Sequence, residues 1–138
     1  MRGGLGYGAT LPRYFTQLVV SPVSRPEVQL FVINNHFDLE SIRSRQAAVR
    51  MMREAIEEYS SQLQGKSLNV LVSGDFNTDD YDPIFREFTY NNKKIPSVRR
   101  ILPDDKTDLK GTFNGCHRET KSNNVVDHIW VLSEDYQP

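Results

Sequence analysis

An α/β fold is what this sequence predicts, and three observations predict it. A long amphipathic helical stretch lies between two apolar runs, the arrangement of a crossover that packs a helix on a sheet. Several apolar runs have strand length and end in clusters of polar groups. The 138 residues hold 38% hydrophobic and 25% charged side chains, an ordinary composition for one small domain with a real core.

The elements follow in order. Residues 1–12 contain Gly3, Gly4, Gly6 and Gly8 without apolar periodicity, which predicts a disordered lead-in. Tyr14 to Val20 reads as a strand. Pro22 and Pro26 mark a loop. Val28 to Asn34 is mostly apolar and reads as a second strand, buried on both faces and forming a hairpin with the first. From Ser41 to about Leu63 the residues Val49, Met52, Ile56, Tyr59 and Leu63 recur at helical spacing, widened by Ala48 and Ala55. Ser41 is placed to cap this helix and Gly65 to end it. Leu68 to Ser73 is a third strand and Pro83 to Phe88 a short helix. Residues 89–110 read as polar and irregular, and a last strand runs from about Val125 to Leu132.

The totals exclude little. Lys and Arg number 17 against 18 Asp and Glu, so no overall charge demands a nucleic-acid partner. A single cysteine, Cys116, cannot form an internal disulfide, and with His117 it lacks further ligands at zinc spacing. No apolar run reaches membrane-spanning length and no signal-peptide core is evident, which sets a cytoplasmic default and leaves secretion open.

The chemistry gathers at strand ends, where open α/β sheets place their sites. Asn34-Asn35-His36-Phe37-Asp38 follows the second strand, Gly74-Asp75-Phe76-Asn77 the third, and Asp127-His128-Ile129 lies in the last. Asp75 and Asn77 share a side if the chain stays extended. The carboxylate can hold a hard cation or orient a water, and the amide can donate to a phosphate oxygen. The same residues also suit a simple Gly-Asp turn. His128 can take a proton from water with Asp127 beside it, or be a satisfied structural histidine. His36 can donate to a phosphoryl oxygen, or cap the turn into the helix. Arg43 and Arg45 at the helix start can meet phosphate or be solvated. Thr112 and Asn114, in Gly111-Thr112-Phe113-Asn114-Gly115, sit on a loop that could approach a ligand or be an ordinary turn.

From about Pro12 to Leu132, the ordered set Asn-Asn-His-Phe-Asp, Gly-Asp-Phe-Asn, Gly-Thr-Phe and Asp-His-Ile resembles the endonuclease/exonuclease/phosphatase superfamily. That family includes pancreatic-type deoxyribonucleases, apurinic endonucleases, inositol-polyphosphate phosphatases and neutral sphingomyelinases. The resemblance implies a four-layer α/β sandwich and phosphoester cleavage by an activated water with Mg²⁺ or Mn²⁺. It makes His128 the general base, Asp127 its positioner or a metal ligand, and Asp75 the residue that orients water. It makes Asn77 the holder of the scissile phosphate and His36 the stabiliser of the phosphoryl oxygens, with Asn34, Arg45, Thr112 and Asn114 near the substrate.

Two departures stand out. Asn35 occupies the place the family gives to Thr. No Glu precedes Glu27, so the family's metal-holding Glu has no counterpart. The chain therefore resembles a partial sandwich, the C-terminal half of such a domain with the N-terminal half missing. The expected function is a phosphoester hydrolase, weakly active or incomplete alone; the alternative is a non-catalytic interaction module. The expected partners are a phosphoester substrate, nucleic acid among the options, and either a second copy or a complementing chain to cover an exposed apolar face. The cluster Lys93, Lys94, Arg99 and Arg100 can grip a phosphate backbone or be solvated.

Overall fold

Helix α1 (Ile42–Ser61) forms where the apolar stripe predicts it, and Ser41 caps it by accepting the Ser44 N–H at 3.1 Å. Its buried face carries Val49, Met52, Ala55 and Ile56. The computed structural model describes residues 2–4, 6–65, 67–79, 81–89, 99–100 and 125–133. The remaining strands and helices are β1 (Arg2–Gly4), β2 (Arg13–Val20), β3 (Leu30–His36), β4 (Asn69–Asp75), α2 (Arg86–Thr89), β5 (Arg99–Arg100) and β6 (Asp127–Ser133). A single 3₁₀ turn, Pro83–Phe85, precedes α2. The strands make one mixed sheet in the order β1-β2-β3-β4-β6-β5. The β2–β3 hairpin is antiparallel as the sequence suggests, α1 carries the chain from β3 to a parallel β4, and β6 returns antiparallel to β4.

Strand alternation divides this sheet into two unlike faces. Phe15, Phe31, Ile33, Val70, Val72 and Trp130 point to the α1 side and are buried. The opposite face carries Leu18, Val20 and Ile129, which are 48%, 40% and 47% exposed. Along β3, Val32 and Asn34 on that open face are half-buried or exposed. The expectation of burial on both faces is therefore corrected: α1 covers only one side of the described sheet. Among the described residues, no helix is long and apolar enough to cross a membrane.

The glycine-rich start also departs from the expectation of disorder. Residues 2–4 pair with β2, Arg2 opposite Phe15 and Gly4 opposite Arg13. The turn that follows is held by Ala9 N–H on Gly6 O and by Ser41 Oγ on Tyr7 O. Backbone ladder bonds need no side-chain periodicity, so hydrophobic pattern could not reveal them. Similarly, β5 lies within the stretch expected to be irregular.

Below the ends of β3 and β4 sits an aromatic cluster. Phe76 meets Phe37 and Phe85 edge-on with centroids 4.9 and 5.3 Å apart, and Phe85 meets Trp130 at 4.8 Å. Each buried ring contributes about 1.5–3 kcal/mol of transfer free energy. The strand ends are locked above it: Phe37 N–H donates to Asp75 O and Phe76 N–H to Val126 O, both at 2.8 Å. Gly74 makes this closeness geometrically feasible. Its φ is +137°, and a Cβ there would lie 2.1 Å from the Asn35 carbonyl oxygen. Gly74→Ala is expected to destabilise the fold by more than about 3 kcal/mol, measured by denaturant unfolding, since strain and clash combine. An unchanged midpoint would refute this account of the strand-end geometry.

Candidate active site

Three of the singled-out residues line up across three adjacent strands. His36 pairs in register with Asp75, and Asp75 with Asp127. Register partners share a face, so all three project to the open side of the sheet. His36 Nε2 lies 3.6 Å from Asp75 Oδ2, with the side chains 59% and 30% exposed. Asp75 Oδ1 accepts the Asn77 N–H at 2.8 Å. One step inward, Asn34 Nδ2 approaches Ser73 Oγ at 3.3 Å, again on this face. Ser73 was not singled out in the sequence, although strand alternation from Asp75 places it on the same side.

Asn77 adopts φ +49° beyond the end of β4, so it does not continue the extended chain that would align it with Asp75. Its backbone N–H folds back onto Asp75, and its Nδ2 donates to the Phe37 carbonyl at 2.8 Å. It braces the two strand ends against each other.

His128 departs furthest from its expected place. Asp127 and His128 both remain in the ladder, opposite Asp75 and Gly74. Strand alternation then sends them to opposite faces. Asp127 is exposed, whereas His128 is buried against Phe76 and Phe85, with Nε2 2.8 Å from the Thr78 carbonyl oxygen. The structure does not bring His128 to His36 and Asp75, which corrects its placement as the base of this rim. The correction for Arg45 is similar. Its guanidinium is buried, and Nη1 donates to the Asp38 and Leu39 carbonyls at 3.0 and 2.9 Å. It closes the start of α1, with its Nη1 engaged by these backbone carbonyls. Thr112 and Asn114 lie outside the described residues, as do Lys93 and Lys94.

Beside the rim, a side chain with no role assigned from the sequence gathers several donors. Asp38 is 1% exposed. Its Oδ1 accepts the Ser41 and Glu40 N–H groups at 2.8 and 3.1 Å, and its Oδ2 accepts from Thr10 N–H and Oγ1 at 3.0 and 3.1 Å. Arg13 Nε is 3.6 Å from Oδ2. The Ser41 N–H is the largest influence holding this carboxyl far below its ordinary value of 3.8; burial opposes it, and the Thr10 and Glu40 donors add to it.

A divalent metal would need more ligands than this rim offers. Asp75 and Asp127 are two carboxylates in register, yet no group of three metal-ligating side chains occurs among the described residues. The described residues alone do not fit a Mg²⁺ or Mn²⁺ cage, and Asp127 as a metal ligand stands without its co-ligands.

The sequence matches no family model. It is likewise not recognisably similar to any curated protein. Solved structures are informative about the fold. An endonuclease/exonuclease/phosphatase family protein from Bacteroides thetaiotaomicron superposes with a TM-score of 0.72 at 22% identity, over 92% of this chain and 44% of that one. A mannosyl-6-phosphatase of the same organism gives 0.71 at 22% identity, over 92% and 45%. Staphylococcus aureus beta toxin, solved with bound magnesium ions, gives 0.52 at 17% identity, over 91% and 44%. The chain thus has the α/β fold of part of an endonuclease/exonuclease/phosphatase domain, and it spans less than half the length of these structures.

Removing the Asp38 carboxylate is expected to cost about 2–4 kcal/mol in Asp38→Ala, because several donors lose a charged acceptor together. The sign with pH follows from the lowered value. The contribution is fully present above 3.8 and is lost as pH falls from there toward the depressed folded value. Unfolding free energy measured against pH should therefore fall more steeply below 3.8 in the parent chain than in Asp38→Ala. Parallel curves would contradict it.

Proposed function

We propose that this chain carries part of the site of a metal-dependent phosphoester hydrolase, a phosphodiesterase, nuclease or phosphatase. The observation that supports it best is the register His36–Asp75–Asp127 across β3, β4 and β6, on one face and at one end of the sheet. Its support from the comparisons is the shared fold with phosphatase-family structures.

The chemistry assigned to the rim is in-line displacement at phosphorus. Asp75 orients a water and, paired with His36, takes its proton as the water oxygen bonds to phosphorus. The bond to the leaving oxygen, on the opposite side of phosphorus, breaks; that oxygen takes its proton from solvent, and the pair later releases the water's proton to solvent. His36, the more exposed partner, also donates to a phosphoryl oxygen as negative charge develops. Asn34 stands one residue pair inward, where its amide can meet the substrate. When bound, a divalent cation would supply Lewis-acid neutralisation of the phosphoryl charge, with Asp127 as a ligand on this chain and others from outside the described residues. A complementing half or a second copy is the partner proposed to supply them. The proposed substrate class is a phosphoester, nucleic acid included.

One observation favours a second reading, a non-catalytic module that keeps the fold: His128 is tied to the Thr78 carbonyl on the far face. Hydrolysis of bis(p-nitrophenyl) phosphate and of plasmid DNA separates the two, run with Mg²⁺, Mn²⁺ or chelator. The expected result is weak metal-dependent turnover, reduced about 100-fold by Asp75→Ala and by His36→Ala. Turnover indifferent to both substitutions, or none in a folded chain, would favour the non-catalytic module.

A further inference from the structure

The outer edge of β2 is covered at one end only. β1 pairs with Arg13, Tyr14 and Phe15, and among the described residues no strand lies beside residues 16–20 on that side. Alternate residues of this run direct their N–H and C=O groups outward, away from β3. Native sheets guard such an edge with charge, proline or a bulge, yet the run Thr-Gln-Leu-Val-Val has neither charge nor proline. A groove of about 230 Å³ lies against the same edge, between β2 and the later turns of α1. Gln17, Val19, Phe31, Ala55, Glu58 and Tyr59 line it. Phe31 and Tyr59 stack with centroids 4.6 Å apart and give it an apolar wall. Val19 points to the α1 side by alternation from Phe15, but it is 46% exposed, so α1 leaves it uncovered. The bordering stripe of α1 is acidic. Glu54 and Glu58 are exposed and one turn apart, with Arg50 a further turn toward the rim.

We infer that this edge and groove dock an extended segment of a partner protein, added to the sheet as a strand antiparallel to β2 and in line with β1. The backbone supplies the hydrogen bonds and the groove selects the side chains, as in other strand-addition sites. Residues directly opposite each other share a face. The partner's residue opposite Val19 therefore enters the groove, and its residue opposite Gln17 lies on the same side. The first is a leucine, isoleucine or phenylalanine, packed on Val19, Phe31 and Tyr59. In the antiparallel direction the second comes two residues later, and the carboxylates of Glu54 and Glu58 make it a lysine or arginine. Charge also decides against a second copy of this chain as the occupant. Antiparallel pairing of β2 with itself about Leu18 puts Val19 opposite Gln17 and brings no cation to the acidic stripe. The rim residues His36, Asp75 and Asp127 do not line the groove, so the inference stands whether or not the rim hydrolyses anything.

The probe is the peptide acetyl-Ser-Thr-Leu-Val-Lys-amide, titrated into the ¹⁵N-labelled 138-residue chain at low salt and followed by amide shifts. Acetyl-Ser-Thr-Leu-Val-Glu-amide is its charge-reversed counterpart. The expected result is saturable shifts at residues 17–20, Ala55 and Tyr59, with a dissociation constant of about 1 mM. The glutamate peptide should bind at least about threefold more weakly. Glu54→Lys combined with Glu58→Lys, both at exposed helix positions, should reverse that preference. Four results would overturn the inference: no saturable shift in the folded parent chain; equal binding of the two peptides; an unchanged preference in the folded double variant; or shifts at residues 17–20 that grow on concentrating the parent chain alone, which would give the edge to a second copy. The comparison of the two peptides uses the parent chain, so it decides even if the variant does not fold.

Discussion

The Asp38 carboxylate is the constraint on which the rest of this structure depends. It stands where β3 has ended and α1 has not begun, and it accepts hydrogen bonds from both the Glu40–Ser41 turn and Thr10. One buried charge thereby fixes the exit of β3, the entry of α1 and the approach of the segment before β2. Arg45 adds to it from the first turn of the helix by closing on the Asp38 and Leu39 carbonyls. Charge-assisted bonds of this kind are shorter and stronger than neutral ones, and they are directional. The direction matters more than the strength here, because α1 must descend across β3 to deliver β4 alongside it.

The strand-end rim inherits its geometry from that junction. His36 and Asp75 can face each other because β3 and β4 end at the same height, locked by Phe37 N–H on Asp75 O. Asn77 tightens the same closure from the other side through the Phe37 carbonyl. Such a rim is pre-positioned by backbone bonds and aromatic packing, with little left to side-chain adjustment. Precise placement on rigid strands is what hydrolytic chemistry requires of its polar groups.

Periodicity made most of the framework legible. The stripe Val49, Met52, Ile56 marked α1, and the apolar runs marked β2, β3, β4 and β6 within a residue or two at most ends. The glycine-rich start was illegible because β1 is held by backbone pairing, which leaves no trace in side-chain type. The rim residues were found through their positions after apolar runs, but facing was harder to see. His128 was expected to work beside Asp127; unbroken pairing with β4 keeps the two on opposite faces. Arg45 looked like a surface cation because a sequence does not reveal which carbonyls lack partners near a helix start. The half-open face of β3 was missed for a related reason, since an apolar run does not say how many layers cover it.

The order of strands has a consequence for how the chain is made. β4 ends at Asp75, while its neighbour β6 does not begin until Asp127. During synthesis β4 therefore emerges and packs under α1 with one edge unpaired, carrying the sequence Asn-Val-Leu-Val-Ser. A nascent chain in this state presents a β-branched edge to any other strand it meets. The ribosome must deliver the intervening segment before that edge is closed. Translation speed across it sets how long each molecule remains open to mispairing.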